Sequence, residues 1–235
     1  NYVVAATGDL QNDEEKKWLR QRGGPLVKRT AIKKFPAKPV KKSDIPQTNS
    51  VIPSSPNSKT LRYLQDNVHD FAWFADKYFG VQYDTIKLSS GRVVDAYSYY
   101  SSDGEKWWKN SMGMIKDAVH FRSALIGEYP FNVVTAVEAP IGFEGGMEYP
   151  TITSISPLPD EKSLDITIGH EIGHNWFYGI LASDERRYPW LDEGVNTYYD
   201  KRYQEWKYGT NQSREKKSSF ISNKLPDSED LLAIN

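Results

Sequence analysis

The chain has 235 residues, of which 38% are hydrophobic and 13% aromatic, enough to build a substantial core. Its 30 basic and 31 acidic side chains leave a formal net charge of −1, so the overall balance predicts no nucleic-acid partner and no attraction to an anionic membrane. No run of eighteen apolar residues and no cysteine occurs, so the sequence predicts no membrane span, no disulfide and no thiolate metal ligand.

The beginning of the chain, "NYVVAATG", is a short apolar run typical of a strand. It lacks the basic region followed by a longer apolar stretch that a signal peptide has. We interpret it as an interior piece of a longer protein. The lack of cysteine fits a reducing cytoplasm and a cysteine-poor bacterial cell envelope equally well, so the compartment stays unknown at this point.

Residues 13 to 60 are rich in Lys, Arg, Pro and Ser and show neither a helical nor a strand period, which predicts a long surface loop. The basic run from Lys28 to Lys42 belongs to this segment, and its prolines favour a solvated loop over a nucleic-acid patch. From Thr60 the pattern tightens, and small and large side chains alternate in residues 91–100. The first part of the chain is therefore predicted to be mostly β.

Residues 105–127 are predicted to form a helix. Their larger side chains recur at three- and four-residue steps from Trp108 to Ile126, and Gly127 can close the helix. Two strands, "FNVVTAV" and "MEYPTITSI", are then predicted on either side of the loop "EAPIGFEGG".

Two further helices are predicted in the last third of the chain. The first is expected to have Ser163 as its N-cap and Asp165 in its first turn, and to run to about Leu181. The second is expected to begin at Pro189 and to be closed by Gly209.

The first of these helices contains "GHEIGHNWFYG", residues 169–179. His170 and His174 are four residues apart, so both imidazoles can reach one ion from the same face of the helix. A catalytic Zn²⁺ takes three nitrogen or carboxylate ligands and keeps a fourth position open. Glu171 lies about 100° around the helix, where it can act as general base on a metal-bound water. The pattern therefore predicts a hydrolytic zinc site.

The third ligand is expected from the next helix, whose sequence "YPWLDEGVNTYY" supplies two neighbouring carboxylates. Glu193 lies nineteen positions after His174, and a turn through "ASDERRYP" lets the chain return to the metal. Asp192 points about 100° away from Glu193 around the helix, so we expect its side chain to lie beside the ligands or to face solvent. The alternative is that Asp192, and not Glu193, coordinates the metal. We predict one Zn²⁺ per chain, held by His170, His174 and Glu193.

These motifs resemble the gluzincin metallopeptidases of the aminopeptidase N family, in which H-E-x-x-H, eighteen residues and a glutamate follow one another. "GGMEY", residues 145–149, is similar to the Gly-x-Met-Glu-Asn motif of that family, with Tyr149 where asparagine is usual. The resemblance implies an α+β fold with a mixed sheet and zinc-binding helices. Residues 1–102 would be the end of a β-rich N-terminal domain, and residues 103–235 the first half of a thermolysin-like catalytic domain.

The resemblance also implies a reaction on peptides with a free N-terminus. Glu148 would bind the α-ammonium group, since a fixed anion selects a cationic chain end, and Gly145, Gly146 and Met147 would line the bound peptide. The implied chemistry is attack of a zinc-bound water on the scissile carbonyl, with Glu171 taking its proton. The oxyanion-binding tyrosine of the family is expected outside this chain, so the 235 residues are predicted to bind zinc but to turn over poorly alone.

Two other functions stay open at the level of the sequence. A thermolysin-type endopeptidase would share the zinc helix but lack an amine-binding anion, and a non-catalytic peptide-binding module would retain the fold without the chemistry. The motifs of a serine hydrolase elbow, a phosphate loop and a dinucleotide turn do not occur in the sequence, so these activities are not predicted.

Overall fold

The structure, a computed structural model, describes residues 1–23, 52–102, 104–139 and 145–209. The basic run from Lys28 to Lys42 lies outside the described residues, as does most of the loop that was predicted between the two later strands. Within the described ranges, no helix combines the length and the apolar character needed to cross a bilayer.

The described residues form an α+β fold, which confirms the predicted class. Its strands are β1 (Val3–Ala6), β2 (Asp9–Leu10), β3 (Tyr63–Leu64), β4 (Trp73–Asp76), β5 (Gly80–Lys87), β6 (Val93–Tyr100), β7 (Val133–Glu138), β8 (Gly146–Met147) and β9 (Ile152–Ile155). Its α-helices are α1 (Asp13–Arg20), α2 (Glu105–Trp108), α3 (Ser111–Leu125), α4 (Glu161–His174) and α5 (Val195–Tyr208). A π-helical turn, Asn175–Ile180, directly follows α4. A second one, Trp190–Gly194, directly precedes α5.

A five-stranded sheet in the order β5-β6-β7-β9-β8 is the centre of the fold. The pairs β6-β7 and β7-β9 are parallel, whereas β5 and β8 pair antiparallel at the two edges. Every residue of β7 is buried, as expected for a strand inside a sheet that is covered on both faces. The short strand β8 therefore lies at one edge, next to β9.

One face of the sheet packs against α3 and α4. Alternate residues of β6, Val94 and Ala96, join this core, while Tyr97 and Tyr99 point to the opposite face. The predicted alternation in residues 91–100 is thus confirmed. The helices contribute a row of fully buried aliphatic side chains to the same core: Ile115, Val119, Leu164, Ile168 and Ile172. This packing fixes α4 on the sheet.

The other face of the sheet is covered by the first part of the chain, including β1 and α1. The prediction of an unbroken loop from residue 13 is wrong, because Asp13–Arg20 forms α1. The helix has acidic residues in its first turn and Arg20 in its last, which suits the helix dipole. Only Leu19 is fully buried, so eight residues contain too few apolar positions for a helical period to be visible.

Strands from both sides of residue 102 pair within the central sheet, since β5 and β6 precede it and β7, β8 and β9 follow it. Residues 80–100 therefore share a core with the helices of the second part. The division of the chain at residue 102 stays a prediction.

Two predicted elements are each interrupted. The helix predicted for residues 105–127 is broken between α2 and α3, and Gly127 follows it with a φ of 142°. The strand predicted as "MEYPTITSI" folds back on itself, because Thr151 has a φ of 64° and turns the chain from β8 into β9. Alternation alone could not show this turn, but Pro150 within the run was an available signal, since proline cannot donate to a sheet hydrogen bond.

The N-cap prediction for α4 is wrong by one turn. Asp160 caps α4, and its carboxylate accepts a hydrogen bond from the Ser163 backbone N–H at 2.8 Å. An aspartate three residues upstream of a serine competes for the same capping role, and here the helix begins at the aspartate. The last predicted helix is confirmed over α5, which ends before Gly209 with a φ of 81°.

Candidate metal centre

The structure brings the three predicted metal ligands together. His170 and His174 lie in the last turns of α4, and Glu193 lies in the π-helical turn before α5. The two Nε2 atoms are 3.1 Å apart, and Glu193 Oε2 is 3.5 Å from that of His170 and 4.0 Å from that of His174. Ligand atoms about 2.0 to 2.2 Å from a tetrahedral ion are separated by about 3.3 to 3.6 Å. The three observed separations lie below, within and above this range, and the donor set of two imidazoles and one carboxylate is one that zinc takes.

Asp192 lies directly beside His174. Its Oδ1 atom contacts His174 Nδ1, and both side chains are buried, each about 1% exposed. Because Nδ1 is engaged, Nε2 is the nitrogen left to face a metal. Glu148, His174 and Asp192 form a second group of close donor atoms, but it shares His174 and belongs to the same centre. Asp192 is therefore placed beside the ligands and not towards solvent.

Asp200 plays the corresponding part for His170 and was missed in the sequence analysis. Its Oδ2 atom is 2.6 Å from His170 Nδ1. On the same helix, Asn196 Nδ2 donates to the backbone oxygen of His170 at 2.8 Å. The available signal was a carboxylate seven residues, or two helical turns, after Glu193.

The pKa of each histidine is raised above its ordinary value. Burial alone would lower the pKa of His170, but the hydrogen bond to Asp200 and the charge of that carboxylate raise it to about 9. For His174, burial is likewise outweighed by the hydrogen bond to Asp192, and its pKa lies above the ordinary value. An ion that takes the two Nε2 atoms therefore competes with protons there.

Glu171 is about 4% exposed and faces β8. Gly146 packs so closely that a Cβ atom there would collide with the Glu171 carboxylate, which would then have to shift. Among the described residues, Glu171 Oε2 has no hydrogen-bond partner. Burial raises the pKa of Glu171 to about 7, although the nearby His170 and His174 act in the opposite direction. A carboxylate of this kind suits proton transfer near neutral pH.

The GGMEY segment runs past this carboxylate. Gly146 and Met147 form β8, paired with Ile155 and Ser154, and Glu148 follows them half-buried. An oxygen of Glu148 lies within 4.8 Å of donor atoms on His174 and Asp192. Burial raises the pKa of Glu148, while its proximity to His174 lowers it. The Glu148 side chain therefore reaches the same space as the predicted ligands.

The two outer residues of GGMEY behave differently from its centre. Gly145 is exposed and has a φ of 82°, a conformation that glycine adopts without strain. Tyr149 packs against the ring of Phe74, with ring centroids 6.3 Å apart, in the core on the far face of the sheet. The position where the family has asparagine is thus occupied by an aromatic packing residue.

Asn175 joins the end of α4 to the turn between β8 and β9. Its Oδ1 atom accepts a hydrogen bond from the Thr151 backbone N–H at 3.0 Å, and its Nδ2 atom donates to the Ile172 carbonyl at 3.0 Å. Both ends of the bridge are buried. The contact fixes the strand that carries Glu148 against the helix that carries His174, and the sequence analysis did not anticipate it.

No protein-family model matches the chain. Segments of it are similar to several characterised proteins: 122 residues, 51% of the chain, are 26% identical to leucine aminopeptidase 2-2 of Scheffersomyces stipitis. A segment of 93 residues, 38% of the chain, is 32% identical to aminopeptidase B of Rattus norvegicus. A segment of 88 residues, 36% of the chain, is 33% identical to leukotriene A-4 hydrolase of Xenopus laevis. The chain is similar to aminopeptidases at low identity.

The matched segments span only 19%, 14% and 14% of the length of these three relatives. Among solved structures, the aminopeptidase A of Legionella pneumophila, determined in complex with aspartic acid, superposes with a TM-score of 0.50 and 16% sequence identity. That match covers 59% of this chain and 18% of the other. It shows a shared α+β fold.

Proposed function

We propose that this chain is a zinc-dependent aminopeptidase, or a part of one, that hydrolyses N-terminal residues from peptides. The observation that carries the proposal is the convergence of His170 Nε2, His174 Nε2 and Glu193 Oε2, with separations of 3.1 to 4.0 Å, beside the buried carboxylate of Glu171. The low-identity similarity to aminopeptidases supports it. We also propose the two-part organisation at residue 102, with the centre in the second part.

The chemistry of the centre follows from its donors and their neighbours. When bound, Zn²⁺ lowers the pKa of water to about 7 and polarises a carbonyl group. Asp192 and Asp200 hold the two imidazoles at Nδ1 and orient their Nε2 atoms. Glu171 takes the proton of the attacking water and passes it to the leaving amine, a role that suits its pKa of about 7.

Selection of the N-terminus is assigned to Glu148. The α-ammonium group of a peptide is a cation near neutral pH, and a half-buried carboxylate close to the centre supplies the opposite charge. The strand β8 lies at the edge of the sheet, so its backbone can pair with an extended peptide by strand addition. The close packing of Gly146 on Glu171 would hold such a peptide beside the general base.

Metal analysis and peptide hydrolysis test this proposal together. We expect one zinc per purified chain and faster cleavage of a peptide with a free N-terminus than of its N-acetylated twin. If turnover is slow, the binding of both peptides to the Glu171→Gln variant is measured in place of cleavage. The peptide with a free N-terminus should bind at least about tenfold more tightly, because one charge-assisted hydrogen bond contributes about that much to affinity.

The outcomes separate the proposal from its two alternatives. Equal handling of the free and the acetylated peptide would favour a thermolysin-type endopeptidase. Purified protein without zinc, and with no zinc uptake on titration, would contradict the enzyme and favour a non-catalytic peptide-binding module.

A further inference from the structure

Arg122 is a charged side chain in the interior that the proposed mechanism does not use. It lies on α3, is 0% exposed, and pairs with Asp200 on α5. A buried charge is costly unless it is paired and hydrogen-bonded, so an arginine at this depth calls for an explanation beyond packing. Among the described residues, its Nε and Nη1 atoms have no hydrogen-bond partner, so Nη2 makes its hydrogen bonds.

The Nη2 atom of Arg122 contacts two residues that each hold His170. It donates to Asp200 Oδ1, while the other oxygen, Oδ2, is 2.6 Å from His170 Nδ1. It also lies 3.5 Å from Asn196 Oδ1, while Asn196 Nδ2 donates to the His170 backbone oxygen at 2.8 Å. One guanidinium nitrogen is therefore one residue away from both the ring and the backbone of a predicted metal ligand.

The division of the Asp200 carboxylate between two partners fixes its plane. If only Oδ2 were engaged, the carboxylate could rotate about its terminal bond, and the direction of its acceptor lone pairs would follow that rotation. The contact of Oδ1 with Arg122 removes this freedom. An acceptor of fixed direction at Nδ1 fixes the orientation of the imidazole ring and its tautomer.

Two glycines of the zinc helix make room for this arrangement. Gly169 and Gly173 directly precede the two histidines and lie four residues apart on one face of α4. A Cβ atom at Gly173 would collide with Asn196 Oδ1 and with the Arg122 guanidinium, and one at Gly169 would lie 3.2 Å from the Tyr203 ring. The face of α4 that packs against Arg122 therefore has no side chain at these two positions.

We propose that Arg122 is a positioning residue for the metal centre. Its guanidinium fixes the Asp200 carboxylate, which in turn holds the His170 ring so that Nε2 faces the ion. The 3.5 Å contact with Asn196 is the weaker of the two. The inference rests on the proposed zinc site. It assigns to α3, which carries none of the predicted ligands, a part in metal binding.

The test measures metal affinity in place of turnover. Zinc dissociation constants are determined by competition with a chromophoric chelator for the wild type, Arg122→Met, Arg122→Lys, Asp200→Asn and the double variant Arg122→Met/Asp200→Asn. His120→Ala, an exposed position on the same helix, is the matched control. The visible spectrum of the Co²⁺-loaded proteins reports the geometry of the ligands, which a purely structural role of Arg122 would leave unchanged in the folded protein.

We expect Arg122→Met to weaken zinc binding about 10- to 100-fold and to alter the Co²⁺ spectrum, as for other residues that orient a metal ligand. Arg122→Lys keeps the charge but lacks the planar guanidinium group, so it should lose less zinc affinity. His120→Ala should bind zinc as tightly as the wild type. Asp200→Asn keeps an oxygen for Arg122 but turns an amide towards His170, so in that background Arg122→Met should add little.

Several results overturn the inference. Wild-type affinity and spectrum in folded Arg122→Met would do so, as would an equal loss with and without Asp200. If circular dichroism shows that Arg122→Met alone does not fold, the double variant is compared with Asp200→Asn, and a further loss of affinity in the double variant contradicts the proposal. Failure of the wild type to bind zinc, or unchanged binding in His174→Ala, would instead remove the proposed site itself.

Discussion

The two sides of the candidate centre are held by different means. On the metal side, His170 and His174 are each fixed at Nδ1 by a carboxylate, from Asp200 and Asp192. On the substrate side, Glu148 follows a two-residue edge strand and is only half-buried. The metal side is thus fixed by side chains from neighbouring helices, whereas the substrate side is fixed through its backbone.

This difference indicates which changes should affect both functions of the centre and which should separate them. Substitutions among the helices should change metal affinity. Substitutions at the edge strand should change the handling of peptides while the affinity for zinc stays the same. Four predictions examine this division, beginning with the largest effect.

His174→Ala should remove the metal side altogether. Three ligands share a zinc binding free energy of about 10 to 16 kcal/mol, so the loss of one should weaken binding about a thousandfold, and turnover should disappear with it. Chelator competition and metal analysis measure the effect. Retained stoichiometric zinc would contradict the assignment of His174 as a ligand.

Glu171→Gln tests the residue that lies between the two sides. The amide has nearly the same shape but cannot take up a proton, so turnover should fall about a hundred- to ten-thousandfold. Zinc content should not fall, because Glu171 is outside the ligand set. Steady-state kinetics on a metal-loaded sample decides, and full activity in this variant would exclude the proposed general base.

Gly146→Ala should lower turnover and leave metal binding unchanged. The added Cβ atom would collide with the Glu171 carboxylate and displace it, and a shift of about 1 Å in a catalytic group can cost about a hundredfold in rate. The zinc dissociation constant should stay at the wild-type value. Gly113→Ala is the control, since Gly113 is exposed on α3 and a Cβ there meets no described atom within 4 Å. Equal losses of zinc and activity would break the distinction between the two sides.

Asn175→Ala should give the smallest effect, because it removes a bridge and leaves both sides in place. The Thr151 N–H would lose its buried acceptor, which costs about 1 to 3 kcal/mol in the free energy of unfolding. Asn175→Asp keeps an oxygen for Thr151 but buries a charge and turns an oxygen towards the Ile172 carbonyl, so it should destabilise the chain at least as much. Denaturant titration of both variants provides the measurement, and equal stability of alanine variant and wild type would refute the bridge.

Much of the arrangement around α4 could be predicted because it depends on local spacing. The interval of four residues between His170 and His174 places both on one helix face whatever the rest of the fold, and the structure brings Glu193 to them. Their metal-binding role stays a prediction. The α+β class and the alternating burial of β6 also follow from pattern and are confirmed.

The parts that could not be predicted depend on contacts between distant segments. In the sequence, the position of Arg122 only indicates that it belongs to an amphipathic helix. The packing of α3 against α5 is what brings it to Asp200. Asn175 meets Thr151 for the same reason. The helix α1 was missed because its stability depends on Leu19 and the sheet, not on a visible period.

The π-helical turn Trp190–Gly194 has a consequence for redesign of the chain. Such a turn holds more residues than an α-helical one, so the direction in which Glu193 points relative to α5 depends on the number of residues in the turn. Deleting a single residue there would restore ordinary winding and rotate Glu193 by about 100° relative to Asn196 and Asp200. At Trp190, Leu191 and Gly194, a change of side chain should therefore be better tolerated than a change in the length of the turn.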